Sequence, residues 1–380
     1  MESVDWIIVG GGVHGVCAAR ALSERGAAVC IFEASGRLLE RWTARTKAVG
    51  MTRMRSPANH HLDAAPVSLH HFVHRPENAD ISDLAGLFRL PLSEAFQRHC
   101  QEVISANGLE ELVVPARVEA IRAEGSQLVV EGGGRACRAA RVLLATGSNR
   151  PRVPSWARRL REEGAPVQHV FEPEAGLGSD ILGGGISAVQ RALMVRRLTQ
   201  KPVRLWLRRP LRVDEFDFDR AWAKHRFLGK WSSLEDADRC AFLDRHPRLG
   251  SVPSQLDVRL RKAVKRGQVE IELGEPVVDW DAGQGLLQLR GKRRTVASSG
   301  LTLATGFVQE AAPDWLRPSA ERFGLPSVRG LPRLDECMHW GRGLYASGPL
   351  ARLRLGPMAS NIVGARWATS LLPGARMQPV

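Results

Sequence analysis

Residues 5–15, DWIIVGGGVHG, run from apolar β-formers straight into three glycines, and the chain repeats this pattern in DILGGGISAVQ (180–190). Gly10, Gly12 and Gly15 make a G-x-G-x-x-G spacing, and VCAARALSERG behind it carries apolar residues at helical intervals as far as Gly26. Strand, turn and helix therefore follow in the order that binds a dinucleotide. The first glycine makes the tight turn, the second lets backbone approach a pyrophosphate, and the third lets helix and strand pack closely. The helix N-terminus offers unpaired N–H groups and a positive dipole end to the phosphates. His14 falls inside this turn and is grouped with the cofactor contacts. A second strand, AAVCIFE, ends at Glu33, 23 residues beyond Gly10, where an acid takes the ribose hydroxyls.

The second turn carries Gly183, Gly185 and Ala188, a G-x-G-x-x-A spacing with Ser187 inside it, between the strand DIL and the helical stretch SAVQRALMVRRL. Its next strand, PVRLWL, ends in Arg208 and Arg209 with no acid. A carboxylate there would repel a 2′-phosphate, whereas two guanidinium groups would hold it, so NADPH is expected over NADH. The plain alternative is that these arginines belong to an Arg-rich surface.

Composition sets the outer bounds. A chain of 380 residues, 44% hydrophobic and 25% charged, suits two or three folded domains. No apolar run approaches the ~20 residues of a membrane span. The segment at Glu2 and Asp5 lacks the basic start of a signal peptide, so a cytoplasmic location is expected. The formal charge of +14 raises nucleic acid or an acidic partner, but the basic residues are spread along the chain and no readout motif accompanies them. Clusters such as RRLR (158–161) and RLRKAVKR (259–266) have the spacing of solvated helix faces. Cysteines 17, 30, 100, 137, 240 and 337 form no CxxC pair and no metal-ligand spacing, so buried free thiols are expected instead of disulfides or a redox dithiol.

Two further stretches match each other: RVLLATGSNRPRVP (141–154) and GLTLATGFVQEAAP (300–313), each a strand feeding a small-residue turn. Here the chain resembles the flavoproteins with two dinucleotide-binding domains. More narrowly, it resembles the flavin-dependent monooxygenase superfamily and its N-hydroxylating lysine and ornithine monooxygenase branch. The resemblance implies FAD on the first turn, NADPH on the second, and crossings between domains at Thr146 and Gly147 and at Thr305 and Gly306. LLERWTARTKAVGM (38–51) looks like the family's stretch beside the flavin, which maps to Trp42 and Met51. RSPANHHLDAAPVSL (55–69) lies where the family lines the flavin and substrate pocket, implying Arg55, His60 and His61 as pocket residues. His169 falls near a family histidine. GLYASGPL (343–350), with Gly348, resembles the strand returning to the FAD domain, and GPMASNIVGARWATSLL (356–372) reads as the helix behind it. Pro357 suits a first helical position, and that helix's positive end would favour the negative charge of reduced flavin. A plain core helix is the alternative.

The expected fold class is α/β: two Rossmann-like FAD- and NAD(P)-binding domains, with a helical excursion in the second. The FAD-binding domain comprises residues 1–150 and 330–380. The NADPH-binding domain spans 151–329, with a lid or substrate segment over 211–268. The core of that segment, from Arg212 to Gly250, is dense in aromatics and acids and long for a plain connection. Its acids Asp214, Glu215, Asp217 and Asp219 suit either a cationic substrate or a solvated face. His60, His61, His70, His71 and His74 lie within fifteen residues, yet with Asp63 as the one nearby carboxylate no metal site is expected. Pocket-lining imidazoles are the expectation instead.

The activity these readings imply is an FAD-dependent, NADPH-consuming monooxygenase. It would insert one oxygen atom of O2 into a small nucleophilic amine or sulfur substrate through a peroxyflavin adduct. Two alternatives stay open: an NADPH-dependent flavoprotein reductase or oxidase without oxygenation, and a non-catalytic NADPH or redox sensor. The expected partners are a small-molecule substrate and O2, with no nucleic acid or membrane; a homo-oligomer or an acidic carrier also stays open. Replacing Arg208 and Arg209 together by Ala is expected to weaken NADPH far more than NADH, because the lost partner is the extra phosphate. Titration of both nucleotides checks this, and an equal loss for the two refutes the assignment.

Overall fold

The computed structural model describes residues 2–147, 150–173, 175–247, 250–274, 277–284, 286–290, 294–296, 300–308 and 312–375. Residues 148–149 and 309–311 of the paired ATG stretches, and the last five residues of the 330–380 segment, thus lie outside it. The strand Glu2–Val9 sits inside an eight-stranded sheet, pairing in parallel with Val29–Phe32 on one side and Arg135–Leu144 on the other. Trp6, Ile7 and Ile8 are all buried because a parallel strand is covered on both faces, which is why its sequence is a continuous apolar run instead of an alternating one. Each such side chain contributes about 1.5–3 kcal/mol by leaving water. Leu344–Ala346 joins the same sheet beside Arg135–Leu144, so the chain returns to its first unit near the C-terminus. An antiparallel meander, Ala120–Glu124 and Gln127–Gly132, extends from that strand. The helix Val13–Ser23 crosses between the first two strands and packs on the last helix, Ile362–Leu371.

A second sheet has five parallel strands in the order Val269–Leu273, Val203–Leu207, Asp180–Leu182, Leu301–Leu303, Val167–His169. Asp180 is buried, and its carboxylate accepts from Arg204 Nε at 2.7 Å, Arg204 Nη2 at 2.8 Å and Trp206 Nε1 at 3.0 Å, which satisfies the charge inside the sheet. The helix Ile186–Thr199 follows the second glycine turn. Ser254–Lys265 is the next crossover helix, burying Leu256, Leu260 and Ala263. The excursion expected over 211–268 is therefore shorter: a bridge between Val213 and Val252 closes it, and the residues beyond belong to the second layer. Apolar residues at i, i+4 and i+7 give that helix its core-facing stripe.

The two units meet where the helix Glu40–Val49 packs on Ile186–Thr199. Arg191 of the second unit donates to Ala48 O at 2.6 Å across this contact and to Ala175 O and Gly176 O on its own side. At the C-terminus the single helix expected from Pro357 is two pieces. Pro357 opens a short 3-10 turn, Gly356–Ser360; the backbone is extended at Asn361, with φ −95° and ψ 170°; the α-helix starts at Ile362. Gly364 allows the two pieces to touch, since a Cβ there would stand 2.2 Å from Met358 O.

Behind the helix Ser68–Val73 lies a buried polar network. Ser68 Oγ donates to Asp63 and lies 2.9 Å from His99 Nε2, while the His61 and His99 rings pack edge to face at 5.2 Å. Arg366 reaches in from the last helix to the carbonyls of His61, Asp63 and Ala64. Burial, reinforced for His61 by the neighbouring His99, pushes His61 down to about 3 and His99 to about 4. Both are neutral in the folded protein, while in the unfolded chain they take up protons near the ordinary value of about 6.5. The unfolded state therefore binds more protons below that value, and the stability these residues confer is full above it and drains away as pH falls toward 4. The thermal midpoint is expected to drop by several degrees between pH 7 and pH 5, and His99→Gln to flatten that slope. A midpoint that stays level in the unsubstituted protein counts against this account.

Candidate active site

Both glycine turns are built by close backbone approach. Gly10 has φ +110°, and a Cβ on it would lie 2.6 Å from Ala145 O. Gly15 stands over Gly10, where a Cβ would meet Gly10 O at 1.8 Å. Gly12 differs: a Cβ there meets nothing within 4 Å, so the backbone at the helix start faces open space of the kind a pyrophosphate would fill. Glu33 sits just past the second strand, its carboxylate accepting from Gly11 N at 2.8 Å and Ser35 N at 3.1 Å. The residues present therefore fit a dinucleotide: a cleared backbone, a helix end and an acid fixed at the adjoining strand tip. Gly183, with φ +155°, repeats the arrangement, a Cβ there lying 2.4 Å from Ala304 O. Ala188 is buried in the second core and Ser187 half-buried, while Arg208 and Arg209 are exposed at the end of their strand. Gly185 is not open in the same way, for a Cβ would find Gly250 Cα of the excursion at 3.6 Å.

A cleft of about 1240 Å³ opens between the units. Trp42, Thr46 and Met51 line one side, with Val13 and His14 from the first turn. Pro357, Ser360, Asn361 and Ile362 line another, which puts the start of the last α-helix at the cleft. His14 Nδ1 is 2.7 Å from Ser347 Oγ, and Gly348, with φ +72°, passes beside the imidazole. The third wall is the excursion, with Phe216, Phe218 and Trp222 joined by Arg245 and His246. Its helices His225–Ser232 and Asp236–Arg245 dock on the C-terminal segment of the first unit. Trp231 Nε1 donates to Leu353 O at 3.1 Å, and a Cβ on Gly356 would lie 3.1 Å from the Trp231 ring.

Arg55 reaches the cleft, but its guanidinium is occupied by the excursion. It donates to Glu215 O at 2.6 Å, Asp214 O at 2.7 Å, Ser251 Oγ at 2.7 Å and Asp217 Oδ1 at 2.7 Å. Its place is that of a clamp between the units. His60 and His61 are not among the cleft-lining residues. His61 is 0% exposed, its Nε2 beside Pro66 O and its Nδ1 accepting from Asp63 N. Burial, followed by the charge of Arg366, pushes His60 down to about 4. His70, His71 and His74 sit on the Ser68–Val73 helix and its end, again off the cleft, because that helix buries Leu69, Phe72 and Val73 instead. Besides His14, the cleft receives His246, stacked on Phe242 at 4.1 Å; its placement depends on how the excursion folds back, which local sequence does not encode.

The crossings hold each other together. Thr305 Oγ1 donates to Arg152 O and Arg152 N to Gly306 O at 2.8 Å, while Ala145 N donates to Val9 O at 2.9 Å just ahead of Thr146 and Gly147. His169 is buried, packs 5.6 Å from Phe171, and is pushed down to about 4 by burial. Of the cysteines five are buried as expected, whereas Cys337 is exposed. Among the described residues no group of three or more His, Cys, Asp and Glu is gathered for a metal ion.

No curated protein matches the chain by sequence. Solved structures do match in fold. The reduced form of ornithine hydroxylase from Pseudomonas aeruginosa is 20% identical with a TM-score of 0.77, over 97% of this chain and 98% of that one. The FAD-bound cadaverine monooxygenase of desferrioxamine biosynthesis from Erwinia amylovora is 16% identical with a TM-score of 0.78, over 100% and 96%. Ornithine N-hydroxylase from Kutzneria, with reduced FAD, NADP+ and L-ornithine, is 17% identical with a TM-score of 0.73, over 97% of each. These likenesses establish the fold, and the family follows from the sequence profile of the pyridine nucleotide-disulphide oxidoreductases, which matches residues 4–348: the chain belongs to that family.

Proposed function

We propose that this protein is an FAD-dependent, NADPH-consuming monooxygenase acting on a nucleophilic nitrogen or sulfur of a small molecule. The observation that carries this reading is a pair of glycine turns packed by the same close backbone approach, at Gly10 and at Gly183, the first of them opening onto a large cleft, in a chain with no CxxC pair. The likeness in fold to N-hydroxylating enzymes, one bound to FAD and one to reduced FAD and NADP+, supports it. A dithiol reductase needs a cysteine pair that the sequence lacks.

Bound FAD, reduced by NADPH, supplies the oxygen-transferring chemistry. The chain's own tasks are holding and shielding. Gly12 and the N–H groups at the start of Val13–Ser23 would take the FAD pyrophosphate, with Glu33 on the ribose. Arg208 and Arg209 would take the 2′-phosphate of NADPH. The helix start at Ile362 puts a positive dipole end at the cleft, which favours negative charge on a reduced ring there. Trp42 and Met51 would flank that ring, and the excursion, fastened by Arg55 and Trp231, would shield the reacting atoms from water. No helix among the described residues is long and apolar enough to cross a membrane, and a cytoplasmic location, where NADPH is at hand, goes with this proposal.

Gly12→Val is expected to fold, because its side chain meets open space, yet to lose flavin because that space is the pyrophosphate's. A yellow variant with full flavin content contradicts the assignment of the first turn. Mixing the NADPH-reduced holoenzyme rapidly with oxygenated buffer tests the activity itself. Slow return of the oxidised flavin spectrum, with NADPH consumed in step with hydroxylated product, is the expected result. Immediate return with stoichiometric hydrogen peroxide marks an oxidase, and negligible turnover marks a sensor.

A further inference from the structure

Resting on the monooxygenase reading, we propose that the substrate is an apolar monoamine, an aryl or alkyl chain ending in one primary amine, and not a diamine or a basic amino acid. Away from Trp42 and Met51, the cleft is walled by aromatic rings from two directions. Phe216, Phe218 and Trp222 come from the excursion, and Phe88 from the hairpin formed by Leu84–Ala85 and Leu90–Pro91. Phe88 and Phe216 pack edge to face at 5.1 Å, and Phe216 lies 5.5 Å from Phe218. Leu87, at the hairpin tip, lines the mouth and is 88% exposed, an apolar threshold at the entrance.

The acids of this wall are engaged within the chain. Asp217 Oδ1 accepts from Arg55 at 2.7 Å and from Ser251 N at 3.0 Å; Asp214 accepts from Arg212 at 2.9 Å; Glu215 accepts from Ser254 N at 3.1 Å; Asp219 accepts from Ala221 N at 2.9 Å. Arg55 and Arg212 are paired with Asp217 and Asp214, and Arg220 and Arg245 line the same cleft with Glu215 and Asp219, so the wall offers no net negative charge to hold a second ammonium group. Aromatic surface rewards an apolar body, and desolvation there favours the neutral amine, whose lone pair is the nucleophile.

The reaction balances as R–NH2 + O2 + NADPH + H+ giving R–NHOH + H2O + NADP+. The O–O bond breaks, one oxygen forms the N–O bond, and the other leaves as water with the two electrons of the nicotinamide hydride.

The test compares coupled hydroxylamine formation by the holoenzyme with phenethylamine, L-ornithine and cadaverine. The expected result is a kcat/KM for phenethylamine about 10- to 100-fold above either diamine substrate, the scale of burying one phenyl ring. Trp222→Ala is expected to lower kcat/KM for phenethylamine more than for methylamine, which does not reach the wall. Ornithine or cadaverine hydroxylated in preference to phenethylamine overturns the proposal while leaving the monooxygenase reading intact. All three amines untouched with slow flavin reoxidation also overturns it. Immediate reoxidation with no amine hydroxylated brings down both.

Discussion

Gly15 lies so close to Gly10 that no side chain fits between them, and the rest of the molecule depends on that approach. It seats the helix Val13–Ser23 against its strand with the helix N-terminus beside the strand tips, which turns a packing contact into an anion-binding position. The same constraint recurs where Gly183 meets Ala304 O. Because the second sheet and the core strands of the first run parallel, their carboxyl ends collect at one edge of each, where ligands of open α/β sheets sit. The first of these edges, the C-terminal segment and the excursion make the cleft.

What converts two cradles into one site is the excursion. It leaves the second sheet after Val203–Leu207, crosses to the first unit, inserts Trp231 against Gly356, and returns past Arg55 to Gly250 and Val252. Charged groups along it that invite a substrate-binding interpretation serve largely to fasten it. Arg55 binds mostly backbone carbonyls, so the geometry it fixes is that of the chain path and not of one side-chain pair.

The glycine turns were legible because strand, turn and helix are local in sequence, and Gly10, Gly15 and Gly183 are each required by a close backbone contact within their own unit. Glu33 was read from its distance to the first turn, whereas Trp42 and Met51 came from the resemblance of LLERWTARTKAVGM to a family stretch; both of these line the cleft. The break between Pro357 and Ile362 was not, since it depends on Gly364 meeting Met358 O, a contact that appears only once the last helix docks. The histidines of 60–74 look like pocket residues in a polar stretch. His61 instead satisfies its ring nitrogens inside the core, and the outer ones ride a helix whose apolar residues face elsewhere. His246 and the aromatic wall were hidden because the excursion's fold is decided by its partner segment and not by its own periodicity.

Gly250 rests on Gly185, glycine against glycine, with a Cβ on Gly250 only 3.1 Å from Gly185 Cα. The loop that closes the excursion therefore leans directly on the second glycine turn. A nucleotide held by that turn would bear on the same backbone that carries the far wall, one bare contact serving both.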